Sequence, residues 1–285
     1  MFTEIFAFSN HALVNFVGGG GKTALIHRLL DEYSSREQPV MATTTTRVHP
    51  PDPHESISLI SSDNLALLKR VLENISRDCA GRSFKILASR YFMSSNLVRG
   101  VPTDFFEDID RSIFPVFLNE ADGAAGFSLK LPRESEPVPA AGAKYLIPVI
   151  GLDCIGRVLG PDTVLRWNEL SESFALRKGD LITPETAARI LMHPQGVCKN
   201  RHTGTTIIPF INKADSPAQD STAMELAAAI LSNTAFPVER VIYGSVLNGR
   251  AASLPHHGNL TKWQPPQTPK SRLATEATAE FTLSK

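Results

Sequence analysis

A lysine and a threonine stand directly behind four glycines in Gly18-Gly19-Gly20-Gly21-Lys22-Thr23. These residue types in this order can hold a phosphate. Glycines let backbone N–H groups converge on an anion without Cβ obstruction. A helix that starts at the lysine adds unpaired N–H donors and a partial positive charge. Lys22 would then neutralise the β- and γ-phosphates, and the Thr23 hydroxyl would ligate Mg²⁺. The flanking sequence supplies the elements that such a loop needs. Leu13, Val14, Phe16 and Val17 read as a buried strand, and Leu25, Ile26, Leu29, Leu30 and Tyr33 share one helical face. That helix should run from Lys22 to about Arg36, where Gln38-Pro39 ends it. Strand, glycine loop, Lys-Thr and helix together make a phosphate-binding loop arrangement. The loop is short: the position where the standard motif carries its first glycine holds Phe16. Short loops of this kind occur in P-loop ligases and deviant P-loop ATPases. A glycine-rich turn that binds nothing is the plainer alternative, against which all four features agree.

Two further stretches end apolar strands in chemistry. Val116-Phe117-Leu118-Asn119-Glu120-Ala121-Asp122-Gly123 has the pattern of a Walker B strand, whose terminal carboxylate holds Mg²⁺. Asp122 is the first choice for that metal. Glu120 is the second, as a metal partner or as a base that orients water. The strand Thr206–Ile211 closes in Asn212-Lys213-Ala214-Asp215, which resembles the guanine-reading motif of P-loop GTPases. Asp215 would accept from the ring N–H and exocyclic amine of guanine, while Asn212 and the Lys213 stem support the ring. Adenine offers an acceptor and no amine at those positions, so the carboxylate would be left unpaired. A fourth stretch, Thr43 to Thr46, has high β propensity and reads first as a strand. Placed beside the glycine loop, Thr44 or Thr45 could instead touch Mg²⁺, a phosphate or a nucleophilic water.

The 285 residues carry 29 Lys and Arg against 29 Asp and Glu, so neither a nucleic-acid footprint nor a polybasic membrane anchor is indicated. No apolar run approaches the roughly 20 residues of a membrane span. The N-terminus lacks a secretory signal pattern. Cys79, Cys154 and Cys198 show no CxxC spacing and read as buried thiols in a reducing cytoplasm.

The remaining chain reads as alternating strands and helices. Strands are expected at Ser56–Ile60, Lys85–Ala88, Tyr145–Ile150 and Val238–Val246. Helices are expected on the stripe Leu65 to Cys79, at Thr103–Asp110 as a short acidic helix, at Asp162–Leu176, after Thr183-Pro184, and from Ser216 through Leu231. His49 and His54 sit in a proline-stiffened loop and read as solvated. Lys130 to Pro139 is a charged, proline-rich surface loop, or else a substrate or phosphate loop. Lys199 and Arg201 lie in a basic loop. The expected architecture is one α/β domain over 1–247 with a P-loop NTPase-like, mainly parallel sheet and helices on both faces, followed by a polar flexible tail over 248–285.

Taken together, FVGGGGKT with TTTT, NEADGA with trailing LKLP and EPVP, PVIGLD and FINKAD resemble the selenium-dependent hydroxylase accessory proteins of the YqeC type, over roughly residues 12 to 247. The resemblance implies a cytoplasmic P-loop protein acting in maturation of selenium-containing molybdenum hydroxylases, with nucleotide and those enzymes or their cofactor-assembly proteins as partners. Carried over to this chain, it implies Gly18 to Thr23 for phosphates, Asp122 and Glu120 for Mg²⁺, and Asn212, Lys213 and Asp215 for the base of GTP or ATP. Where basic residues would be expected after the EADGA turn, this chain has Ala125, Gly126 and Phe127. The expected activity is Mg²⁺-dependent nucleotide hydrolysis. An ATP-dependent ligase or kinase, and a non-catalytic nucleotide-gated carrier or chaperone, are the rival readings.

Overall fold

The computed structural model describes residues 1–52, 56–78, 85–93 and 97–255. The chain begins with α1 (Phe2–Phe6), β1 (Ala12–Gly18), α2 (Lys22–Ser34), β2 (Val40–Thr44), β3 (Arg47–Val48) and β4 (Ile57–Ser61). It continues through α3 (Leu65–Asp78), β5 (Lys85–Ser89), β6 (Tyr91–Met93), β7 (Leu97–Arg99), β8 (Val116–Glu120), β9 (Leu129–Lys130) and β10 (Tyr145–Gly151). The last part holds β11 (Val164–Leu165), α4 (Trp167–Phe174), α5 (Pro184–Leu191), β12 (Thr206–Ile207), β13 (Phe210–Asn212), α6 (Asp220–Leu231), β14 (Arg240–Ser245) and β15 (Arg250–Pro255).

The main sheet runs in the order β15-β14-β13-β10-β1-β8-β2-β5-β4, with β12 also paired to β10. Every pairing in it is parallel except β14 with β15. This is the expected α/β architecture. Because the sheet is covered on both faces, its central strands are buried along their length and mostly apolar rather than alternating. On β1, Val14 and Phe16 pack on one face with Leu25, Ile26, Leu29 and Leu30 of α2. Leu13 faces the other way, toward Leu68 and Leu72 of α3, and Val17 faces the cluster built from α5 and α6. The fully buried Phe210 anchors α1 by edge contacts to Phe2 and Phe6, at 5.8 and 5.9 Å between ring centroids. Such aromatic pairs add about 0.5–1.5 kcal/mol each beyond area burial.

A separate three-stranded antiparallel sheet, β3-β7-β6, follows directly on β2 and sits at the C-terminal edge of the main sheet beside the glycine loop. We call it the flap.

Three expected boundaries are corrected. Thr103–Asp110 is a run of turns rather than an acidic helix. Its apolar members decide its course, since Phe105, Phe106 and Ile109 are core residues. The helix expected over Asp162–Leu176 is a short strand, β11, followed by α4, because Val164 and Leu165 pair with β9. The domain also does not end at residue 247. β15 pairs with β14 along its length and turns Ala251 and Ser253 inward. Its Arg250 guanidinium donates to the carbonyls of Ala214 and Ser216 and to Asp220. Hydrogen bonding to a neighbouring strand makes an edge strand out of a segment with little apolar content. His54, Cys79 and the rest of the expected tail, 256–285, lie outside the described residues.

Candidate functional site

The glycine loop closes β1 and opens α2, as the residues require. Gly18 and Gly20 have φ of +95° and +77°. A Cβ on either would run into backbone of β10, at Val149 and Gly151 respectively. Three loop amides are used internally: Gly18 N–H donates to Asp122, Gly19 N–H to Val149 O, and Gly20 N–H to Phe127 O. The first backbone bond of α2 runs from Leu25 N–H to Gly21 O. The amides at the very start of α2 therefore remain outside its ladder, aimed where an anion would sit.

Lys22 is buried, at 3% exposure, and its tip is held by polar groups. Its Nζ donates to Gly18 O at 2.6 Å, and lies 3.2 Å from Asp122 Oδ1 and 3.7 Å from Glu120 Oε1. Burial alone would lower its pKa, but the charges of Asp122 and then Glu120 outweigh that and hold the ammonium above its ordinary value. Thr23 Oγ1 donates to Glu120 Oε2 at 2.9 Å. Burial pushes the Glu120 carboxyl above the usual carboxylate range, against the opposing pull of Lys22 and the Thr23 hydroxyl.

The two acids of the Asn119–Asp122 stretch exchange their expected places. β8 ends at Glu120, which lines the open cleft with Lys22 and Thr23. Asp122 is fully buried behind the loop, outside the residues that line the cleft. One of its oxygens meets Lys22 and the other meets Lys130 Nζ at 2.8 Å, while Gly18 N–H donates to both. Asp122 therefore organises the glycine loop, and the pairing of a hydroxyl with a carboxylate suited to Mg²⁺ is Thr23 with Glu120 rather than Thr23 with Asp122. Lys130 is not the surface residue its sequence context suggests. It is wholly buried, donates to Gly123 O at 2.6 Å, and lies 3.6 Å from Glu136, which pairs in turn with Arg166. The LKLP stretch hides this, since alternation with the buried Leu129 and Leu131 reads as a lysine on the outer face.

Thr44 and Thr45 are not brought to the cleft. Thr44 Oγ1 donates to Glu120 O at 2.8 Å and accepts from Thr46 N–H, and the Thr45 hydroxyl donates to Val138 O. Their hydroxyls bind strand ends together. Asn15 and Asn119, which sequence reasoning passed over, do the same beneath them: Asn119 Nδ2 donates to Asn15 Oδ1 at 2.7 Å, and Asn15 pairs with both backbone groups of Ala140.

The Asn212–Asp215 stretch is tied to the glycine loop. Asn212 Nδ2 donates to Gly20 O at 2.8 Å, and Asn212 Oδ1 accepts from Val246 N–H. Lys213, at φ +64°, reaches Ser128 Oγ and Asp153 Oδ2 at 2.8 and 2.9 Å. Asp215 is exposed, and its Oδ1 accepts from the buried Ser245 hydroxyl at 2.6 Å. Ser245 ends β14, so two neighbouring strand ends set the direction of the Asp215 carboxylate. No sequence motif singled out Ser245.

In front of the loop lies a cleft of about 570 Å³. One wall is Gly20 to Thr23, Glu120 and the turn Gly123–Phe127, and the other is the flap with Arg47, His49 and Leu97. Among the described residues there is no group of three or more His, Cys, Asp and Glu placed to hold a metal by themselves. A divalent cation here would need oxygens from a ligand beside Thr23 and Glu120, as Mg²⁺ does when it binds through substrate phosphates. No helix among the described residues is long and apolar enough to cross a membrane.

Comparison with known proteins places this chain in a family. A protein from Escherichia coli (strain K12) described as "Uncharacterized protein YqeC" is 27% identical over 202 residues, which span 70% of this chain and 75% of that protein. No solved structure gives a significant match. The family described as YqeC protein matches residues 14–168, a span that holds the glycine loop, Glu120, Asp122 and the flap and stops before Asn212. With more than half of its length matched, the chain belongs to the YqeC protein family.

Proposed function

We propose that this protein binds a nucleoside triphosphate with Mg²⁺ at the glycine loop and hydrolyses it, as an accessory factor in maturation of selenium-containing molybdenum hydroxylases. The observation that carries the nucleotide reading is the convergence of Lys22, Thr23 and Glu120 on one cleft at the start of α2. The accessory role rests on the family resemblance alone.

In this reading the free amides at the start of α2 hold the phosphates, and Lys22 turns from Glu120 and Asp122 toward them. Thr23 and Glu120 would hold Mg²⁺, which when bound neutralises charge on the β- and γ-phosphates. Asp122 stays in place, pinned by Lys130, and keeps the loop in shape while Lys22 moves. Preorganised donors of this kind stabilise charge that builds up during phosphoryl transfer. Asn212, Lys213 and Asp215 would face the base, with Asp215 held by Ser245 for a donor pair such as guanine presents. The test is release of inorganic phosphate from GTP and ATP by the purified protein with and without Mg²⁺. Metal-dependent release lost in Lys22→Ala supports the proposal. Nucleotide binding with no release under any condition would leave a nucleotide-gated carrier in its place.

A further inference from the structure

The sheet order sets two groups of residues on opposite sides of β1. Asn212 ends β13, and Lys213 and Asp215 follow it, two strands away on the β10 side. The flap wall of the cleft, with Arg47, His49 and Leu97, lies on the β8 and β2 side. A nucleotide whose phosphates sit at the start of α2 and whose base reaches toward Asp215 leaves by the first side. Its terminal phosphate then faces the second, where the cleft is open.

The glycine loop and the flap line one continuous cleft, so a nucleotide's phosphates would take up its loop end and leave the flap end to a second group. The cleft measures about 570 Å³. Sites for small organic ligands run from about 300 to 1,000 Å³.

The flap side of the cleft carries Arg47 and His49, with the acid Asp52 further along the same segment. Arg47 is exposed and lines the cleft, and among the described residues its guanidinium makes no hydrogen bond or ion pair. His49 beside it has none either. The carboxylate on the opposite wall, Glu120, is already engaged by Thr23 and Lys22. A free guanidinium is a fork for a carboxylate or phosphate. Its mount is firm. Gly100 N–H donates to Thr46 O at 2.5 Å, Val101 N–H donates to Thr44 O at 2.8 Å, and Arg47 pairs with Arg99 across β3 and β7. A Cβ on Gly100 would collide with the Thr45–Thr46 backbone, so the flap lies directly against the end of β2.

We propose that the flap end of the cleft is a second-ligand site for a small oxyanion-bearing molecule, gripped by Arg47 next to the terminal phosphate of the nucleotide. The inference rests on the nucleotide reading of the glycine loop. A protein that only hydrolyses nucleotide has no use for such a site, whereas a transferase or ligase does.

The test uses the full chain saturated with Mg²⁺ and a β,γ-imido analogue of GTP or ATP, whichever binds, so that the glycine loop is filled. Inorganic phosphate is then titrated calorimetrically into wild type, Arg47→Ala and Arg47→Lys. The expected result is phosphate binding to the loaded wild type, weakened at least about tenfold by Arg47→Ala and less by Arg47→Lys, with analogue affinity within about threefold of wild type in both variants. If the analogue binds but phosphate does not, or phosphate binding ignores Arg47, the second-ligand site is overturned while the nucleotide reading stands. If Arg47→Ala weakens the analogue as much as phosphate, Arg47 belongs to the nucleotide site and the inference is overturned. If the analogue does not bind at all, the nucleotide reading fails and takes the inference with it.

Discussion

Thr23 donates its hydroxyl to Glu120 at 2.9 Å, joining the first turn of α2 to the end of β8. This bond places a hydroxyl and a carboxylate side by side at the mouth of the cleft, with the Lys22 ammonium 3.7 Å from the same carboxylate. The pair is the proposed metal position. Thr23→Ala should lower Mg²⁺-dependent phosphate release about a hundredfold, while binding of the nucleotide diphosphate without metal changes little. Thr23→Ser, which keeps the hydroxyl, should retain most of the activity. Steady-state rates across a Mg²⁺ titration give the comparison, and an unchanged metal dependence in Thr23→Ala would remove Thr23 from the site.

The raised Glu120 value sets a pH dependence. Glu120 holds its proton more readily in the folded protein than in the unfolded chain. Its contribution to stability is thus present below the ordinary value of 4.5 and is lost as pH rises through its raised folded value. Mg²⁺ needs the ionised carboxylate, so metal-dependent nucleotide binding should fall on acidification at a pH above 4.5, and Glu120→Gln should flatten that limb. Lys22 works at the other end: its contribution is complete below 10.5 and disappears only as pH rises through its own raised value. Calorimetry from pH 5 upward follows the acidic limb. A midpoint at or below 4.5 would contradict the assignment.

Asp122 and Lys130 form a buried pair 2.8 Å apart, both wholly shielded from solvent. Asp122→Ala leaves the buried Lys130 charge with only its longer ionic contact to Glu136 at 3.6 Å and frees the Gly18 amide, and should cost about 3 kcal/mol, read from urea denaturation. Lys22→Ala leaves Asp122 paired with Lys130 and should cost clearly less. Equal losses in the two variants would show that the pair does not organise the loop.

Cys154 and Cys198 are both buried, and burial pushes each thiol up to about 12. Neither should react with iodoacetamide at pH 8 in the native protein, and both should react once it is unfolded in urea. Mass mapping of the labelled peptides separates the two states. Fast native labelling of either cysteine would mean that its surroundings open in solution.

Much of this site was legible in the residues. Four glycines and Lys-Thr between an apolar run and an amphipathic stripe determine a loop, because few other backbones suit them. The choice between Glu120 and Asp122 was not legible. It depends on β8 stopping at Glu120 and on Lys130 folding back beneath Asp122, a contact between residues on separate elements. The Thr44 and Thr45 hydroxyls likewise found backbone carbonyls of β8 and of the Pro137–Ala140 segment that only the tertiary fold brings near. β15 escaped notice because an antiparallel edge strand is held by its partner and needs little apolar content of its own. Ser245 carries no motif, and its meaning comes from ending one strand beside Asp215 on another.

The most direct measurement is calorimetric titration of the β,γ-imido analogues of GTP and ATP in Mg²⁺ into wild type, Lys22→Ala and Asp215→Ala. Asp215 is exposed, so its replacement should leave the fold intact. The account predicts binding to wild type that Lys22→Ala abolishes, with a preference for the guanine analogue that Asp215→Ala erases. Tight binding of both analogues indifferent to Asp215 would confine the account to the glycine loop. Binding of neither analogue to the wild-type protein would contradict its central claim.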